Sequence, residues 1–125
     1  MKVLALDYGK KRIGLAMGDD VLRIVLPYGV IESDSDDIAI ERISKLVKVE
    51  NFSLLIFGLP IGLDGHEGVN AMRVRKFGDC LVKQGFEIKY IDERFTSREA
   101  DRMGGQATRD EKAAMLILES YFGSK

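Results

Sequence analysis

Lys2-Val3-Leu4-Ala5-Leu6-Asp7-Tyr8-Gly9-Lys10-Lys11-Arg12-Ile13-Gly14-Leu15-Ala16-Met17-Gly18 is the stretch from which the fold is read. Lys2 to Leu6 is a short apolar run that ends at Asp7, and Tyr8 to Lys11 reads as a tight turn. Arg12 to Gly18 alternates. Ile13, Leu15 and Met17 share one side, and Gly14, Ala16 and Gly18 share the other. Period two marks a strand, so the pair forms a β-hairpin with Asp7 beside its turn. A third strand fits Ile24 to Ile31. Pro27 has no amide to give a ladder, which places this strand at or near a sheet edge.

Beyond the hairpin the period changes. Ser33-Asp34-Ser35-Asp36-Asp37 offers small side-chain oxygens and acids suited to the positive end of a helix, and Ile40, Ile43 and Val47 follow at helical spacing. Leu54 to Leu59 is apolar without alternation, as in a parallel strand covered on both faces. Pro60 to Gly68 reads as a glycine-rich loop. A second helix follows over Val69 to Gln84, with Val69, Met72, Cys80 and Leu81 inward and Arg73, Arg75, Lys76 and Lys83 outward; Gly85 stops it. Phe86, Ile88 and Tyr90 alternate into a last strand that ends at Asp92-Glu93-Arg94. Thr96-Ser97-Arg98-Glu99 and Thr108-Arg109-Asp110-Glu111 both have the capping-box spacing. The first opens a short helix stopped at Gly104-Gly105. The second opens a final helix in which Asp110 shares a face with Ala114, Ile117 and Tyr121. The expected fold is α/β: a mixed five-stranded sheet, its first three strands antiparallel, with helices on both faces.

Composition narrows the function. The 125 residues, 46% apolar and 31% charged, suit one domain over 1–125 that folds without disulfide or metal. The formal net charge of -1 gives no whole-protein field toward a polyanion. A single cysteine, Cys80, excludes a disulfide framework and fits a reducing compartment; a single histidine, His66, excludes zinc sites built on several imidazoles. The start of the chain is charged too early for a signal peptide. The longest apolar run is far short of the ~20 residues of a membrane span, so a cytoplasmic protein is expected.

Three acidic positions mark element ends: Asp7 after the first strand, Asp92-Glu93 after the last, and Asp110 at the start of the final helix. Ligands of open α/β sheets collect at the carboxyl ends of strands. If the first and fifth strands run parallel, these acids meet at one edge. Converging carboxylates repel unless a cation intervenes, and an all-oxygen set suits Mg²⁺ or Mn²⁺. Such ions activate water and stabilise a phosphodiester displacement without any histidine. The same acids also fit plain roles as helix caps and loop solvators. Lys10, Lys11 and Arg12 follow Asp7, Arg94, Arg98 and Arg102 follow Glu93, and Arg109 precedes Asp110. A basic rim of this kind holds phosphates, or is an ordinary charged surface. The Gly58-to-Gly65 loop lacks a Walker or dinucleotide pattern and reads as a connection.

Leu4-Ala5-Leu6-Asp7-Tyr8-Gly9, Arg12-Ile13-Gly14-Leu15-Ala16, Gly58-Leu59-Pro60, Asp64-Gly65, Asp92-Glu93-Arg94-Phe95-Thr96-Ser97 and Asp110 with Ala113-Ala114 and Leu118-Glu119-Ser120-Tyr121 resemble, in order and over nearly the whole chain, the YqgF/RuvX family. The resemblance implies an RNase H-like fold and a nuclease of pre-16S ribosomal RNA, also described as Holliday junction resolvase-like. It carries catalytic and Mg²⁺ or Mn²⁺-binding roles onto Asp7, Glu93 and Asp110, with Asp92 as the rival of Glu93. Lys10, Arg12, Arg94 and Arg98 are expected to position the nucleic-acid backbone. The segment from Met103 to Arg109 is shorter than the family pattern.

Three other readings stand beside this one. The same chemistry acts on four-way DNA junctions, where a two-fold dimer is usual; the chain itself is expected to be a monomer or homodimer. A non-catalytic module binds RNA or protein and keeps the acids as structure. Asp7-Tyr8-Gly9 also resembles the first phosphate loop of sugar kinases, but those enzymes need two lobes.

Overall fold

Alternation along each strand decides which residues face which layer. In the computed structural model, which describes residues 1–62, 65–93 and 104–123, five strands form one sheet in the order β3-β2-β1-β4-β5. They are β1 (Lys2–Asp7), β2 (Arg12–Asp19), β3 (Ile24–Glu32), β4 (Leu54–Pro60) and β5 (Ile88–Glu93). β1, β2 and β3 are antiparallel neighbours, and β4 runs parallel to both β1 and β5. The expected mixed sheet is therefore present, and β3 lies at its edge. Pro27 sits beside a bulge: Leu15 pairs with Gly29 and Ala16 with Pro27, so Tyr28 is the extra residue.

Helices α1 (Asp36–Glu50) and α2 (Val69–Lys83) cover one face. Their core partners on the strands are Leu4, Leu6, Ile13, Leu15, Leu55, Phe57 and Leu59. The last helix, here α3 (Arg109–Gly123), covers the other face against Val3, Ala5, Ala16, Leu54 and Ile56. Each strand thus divides its residues between two cores, which is why β4 shows no polar alternation. No helix among the described residues is long and apolar enough to cross a membrane.

Local chemistry sets the helix ends. The Ser35 hydroxyl accepts from the Ile38 amide at 3.3 Å, and Asp36 and Asp37 fill the first turn of α1. Thr108 and Glu111 form the reciprocal capping box: the Glu111 amide donates to Thr108 Oγ1 at 3.1 Å, and the Thr108 amide donates to Glu111 Oε1 at 2.9 Å. Glu111 Oε2 also accepts from the Gly29 amide at 2.7 Å, tying the edge-strand bulge to α3.

Two expectations are corrected. The inward face of α2 is Ala71, Val74, Phe77, Gly78 and Leu81, while Val69 and Met72 stand 65% and 66% exposed. Gly78 explains the offset, because the Tyr90 hydroxyl lies where a side chain at 78 would be. The helix is clocked so that this gap, rather than its larger apolar residues, meets the sheet. The loop after β4 is also less open than expected, since the strand runs through Pro60 and Ile61 bridges Glu67. Leu63, Asp64, the residues 94–103 with their capping box and short helix, and Arg94, Arg98 and Arg102 lie outside the described residues.

Candidate active site at the carboxyl edge of the sheet

Strand parity puts two acids on one face. Val3 and Ala5 of β1 pack toward α3, so Asp7, two residues on, points to that side. Leu54 and Ile56 of β4 and Ile91 of β5 do the same, which brings Gly58 and Glu93 there too. Asp92 alternates to the face of Ile88 and Tyr90. Because β1, β4 and β5 are parallel, Asp7 and Glu93 end at the same edge with only β4 between them. Gly58 leaves that gap open: a side chain there would begin 2.7 Å from Glu93 Oε2 and 2.5 Å from Ile117 Cδ1.

Asp110 arrives from the third direction. Asp7 pairs with Gly14 in the β1–β2 register. The first turn of α3 lies directly on Gly14, whose missing side chain would collide with the Asp110 carbonyl oxygen. Four residues on, a side chain at Gly18 would meet Leu118 Cδ2 at 2.9 Å. Eight helical residues span ~12 Å and four strand residues ~13 Å, so α3 lies along the small-residue side of β2. The alternation of Gly14, Ala16 and Gly18 is the bed of this helix.

Asp7 and Glu93 hydrogen-bond to each other and are partly buried. Burial pushes the Glu93 carboxyl up to about 8, and the Asp7 charge and hydrogen bond add to the rise. Burial also pushes Asp7 up to about 6; the hydrogen bond with Glu93 opposes this and the Asp110 charge reinforces it. Burial and mutual repulsion therefore oppose joint ionisation of the pair. Arg12 Nε stands 3.3 Å from Asp110 Oδ2, so this acid is partnered by the first residue of β2. Among the described residues, no three acidic, histidine or cysteine side chains converge as a ready-made ion cage.

The donor chemistry nevertheless fits a hard cation. Two adjacent, partly buried carboxyls that resist joint ionisation are short of positive charge, all the donors are oxygen, and the charge of Asp110 acts on Asp7.

A cleft of about 410 Å³ opens beside the pair, bounded by Tyr8, Lys10, Pro60, Asn70 and Arg73. Lys10, expected to position the nucleic-acid backbone, borders this cleft. Asn70 and Arg73 are residues that the sequence reading missed. The available signal was position: α2 follows β4, so its first turns begin at the same carboxyl edge as the acids. Tyr8 is part of the frame. Its hydroxyl donates to Asp36 Oδ1 at 2.8 Å and its ring lies 4.9 Å from that of Phe77. Burial and the bond to Asp36 push the phenol up to about 12, which keeps it protonated.

Raised carboxyls carry a stability consequence. Below the ordinary carboxyl range, roughly pH 4, folded and unfolded chains both hold these protons. Between there and about 8 the folded chain holds more, so stability falls as pH rises through this window. The metal-free protein is expected to lose several degrees of melting temperature between pH 6 and pH 8.5. Glu93→Gln should flatten that slope. An unchanged slope in the variant would show that other groups set it.

A family model described as RuvX, Holliday junction resolvase, matches residues 1–124. A protein of Dictyoglomus turgidum named "Putative pre-16S rRNA nuclease" is 36% identical over 134 aligned residues, covering 99% of this chain and 95% of its own. Ribonuclease YqgF of Deinococcus radiodurans is 37% identical over 119, covering 95% of this chain and 85% of its own. Among solved structures, Thermus thermophilus RuvC matches with a TM-score of 0.67 at 11% identity, over 99% of this chain and 95% of that one. The fowlpox virus resolvase in complex with Holliday junction DNA matches with a TM-score of 0.66 at 12% identity, over 99% and 98%. At such identities the structural likeness speaks to the fold, which is RNase H-like.

Proposed function

The chain belongs to the RuvX family, and from that premise we propose that it is a single-domain, metal-dependent endonuclease that trims the 5′ end of precursor 16S ribosomal RNA in the cytoplasm. The observation that carries this reading is the hydrogen-bonded, partly buried Asp7–Glu93 pair at the carboxyl edge, with the charge of Asp110 acting on Asp7. The relatives named as pre-16S rRNA nuclease and ribonuclease support RNA as the substrate.

Asp7, Glu93 and Asp110 would hold Mg²⁺ or Mn²⁺. When bound, such an ion supplies Lewis-acid activation of water and stabilises charge on the phosphodiester oxygens. The protein's own groups do the rest. With an ion held there, the pair would lose its proton to solvent, leaving both carboxylates as donors. Arg12 keeps Asp110 oriented at the start of α3. Lys10, on the turn beside Asp7, neutralises phosphate at the rim. Pro60, Tyr8 and Val74 wall the cleft.

The purified protein is expected to cleave a precursor fragment spanning the 5′ end of 16S RNA with Mg²⁺, and to leave it intact in EDTA. Since metal displaces a proton, Mg²⁺ should raise the melting temperature more at pH 8 than at pH 6. No cleavage with either Mg²⁺ or Mn²⁺ would overturn the enzymatic reading. The family description favours a second substrate, the four-way DNA junction. Faster cleavage of a synthetic junction than of the RNA fragment would move the assignment there.

A further inference from the structure

The acids do not stand alone at their edge. A second cleft, of about 310 Å³, adjoins the first; Tyr8, Lys10 and Arg73 border both, and Lys76 borders the second. Together they form one trough along the first turns of α2. Asn70, Arg73 and Lys76 lie three residues apart, on one stripe of that helix.

Charge is distributed unevenly around the molecule. Arg12 faces Asp110, Arg75 faces Glu67, Lys45 faces Glu41 and Lys2 faces Glu50. Arg23 and Arg42 donate to the carbonyls of Phe122 and Glu32. Among the described residues Lys10, Arg73 and Lys76 have neither an ion pair nor a hydrogen bond; Lys11, Lys48, Lys83 and Lys112 share that state, but none of those four borders the two clefts. Three unneutralised cations thus converge on the trough that ends at the acid pair, although the whole chain has a net charge of -1. The helix adds to this. α2 has no acid in its first turn and no side-chain cap, unlike α1 and α3, whose first turns carry Asp36 with Asp37 and Asp110 with Glu111. Its positive end is left uncompensated. Across the trough stand Asp34 and Asp36, the latter engaged by Tyr8, so a polyanion is held to the α2 side.

We propose that the trough along α2, from Asn70 through Arg73 to Lys76 with Lys10 opposite, binds the phosphodiester backbone of the substrate strand and leads it to the Asp7–Glu93 edge. This rests on the nuclease reading and adds the path of the strand. Residues three apart on a helix have Cβ atoms ~5–6 Å apart, so Arg73 and Lys76 can meet successive phosphates. The sugar is not read by these contacts, so RNA and DNA share them.

The test is binding, measured apart from cleavage. Fluorescence anisotropy in EDTA compares the wild type with R73Q/K76Q on a single-stranded RNA and on a DNA of the same sequence. A control, K48A/K83A, removes two charges elsewhere; Lys83 lies ten residues along α2, ~15 Å from Arg73. R73Q/K76Q should bind both probes roughly tenfold more weakly, and its plot of log affinity against log salt should be shallower by about 1.4. K48A/K83A should match the wild type. These side chains are exposed, so an unchanged melting curve is expected and separates lost binding from lost folding. If wild type binds and R73Q/K76Q binds equally well, the trough is not the path, whatever the cleavage assay shows. If R73Q/K76Q loses binding but wild type never cleaves, the trough stands and the nuclease reading falls. A loss confined to the RNA probe would overturn the claim of backbone recognition.

Discussion

Asp7→Asn is expected to abolish metal-dependent cleavage while making the metal-free protein more stable. Asp7 is placed by β1, faces Glu93 across Gly58 and feels the charge of Asp110. Its carboxylate is one of the donors that would hold the ion. An amide keeps the shape but removes the charge. Lewis-acid stabilisation is worth several kcal/mol, so the rate should fall roughly a thousandfold or more. The effect on stability has the opposite sign. Wild type holds two raised carboxyls against burial and against each other, which costs stability at pH 8. The amide removes one of them, so the melting temperature without metal should rise, and the gain from Mg²⁺ should shrink. Activity is measured on the precursor fragment and stability by thermal unfolding at pH 8. Undiminished cleavage in a folded D7N protein would remove the acid-cluster mechanism. A fall in metal-free stability would show that burial of the pair is not the strain inferred here.

Gly14→Ala is expected to destabilise the fold severely. The new Cβ would run into the backbone carbonyl of Asp110. Backbone at a capped helix start cannot swing aside as a side chain can, and Thr108 and Glu111 lock that turn to the bulge of β3. Either α3 lifts off the sheet or β2 bends. Overpacking costs ~1–3 kcal/mol and more when the obstacle is rigid, so a fall in melting temperature of about 10 °C or more is expected. Gly58→Ala is the informative contrast. Its obstacles are the ends of Glu93 and Ile117, which can rotate, so the stability loss should be nearer 1–2 kcal/mol. Cleavage should nevertheless suffer, because Glu93 would have to leave Asp7. Equal stability of G14A and wild type would mean that α3 does not seat on β2 as described.

The hairpin, the edge strand at Pro27 and both described helix starts were legible because each depends on near neighbours in the chain. An alternation of side chains, a missing amide, and a hydroxyl three residues from the amide it caps are all local facts. The acids were legible as ends of elements, but not as a pair. Asp92 and Glu93 are adjacent in sequence and differ only in parity, which has meaning once Ile91 is known to face α3. The face of α2 was misread because apolar character was counted and shape was not. Val69 and Met72 are larger than Ala71 and Gly78, yet the Tyr90 hydroxyl selects the small residue. Arg73 was visible only as an outward charge. Its place at the trough depends on which end of the sheet α2 begins from.

The order and type of elements therefore follow from the chain alone, because strand period, capping oxygens and turn glycines act over a few residues. So does the character of the two faces of β2, large on one side and small on the other. Pairing Asp7 with Glu93, 86 positions away, and bringing the charge of Asp110 to bear on Asp7 belong to the tertiary structure. They require the parallel pairing of β1, β4 and β5 and the close seat of α3 on Gly14. Pairing over such distances is settled by burying both faces of the sheet at once, an energy shared across the whole core that no short stretch of sequence contains.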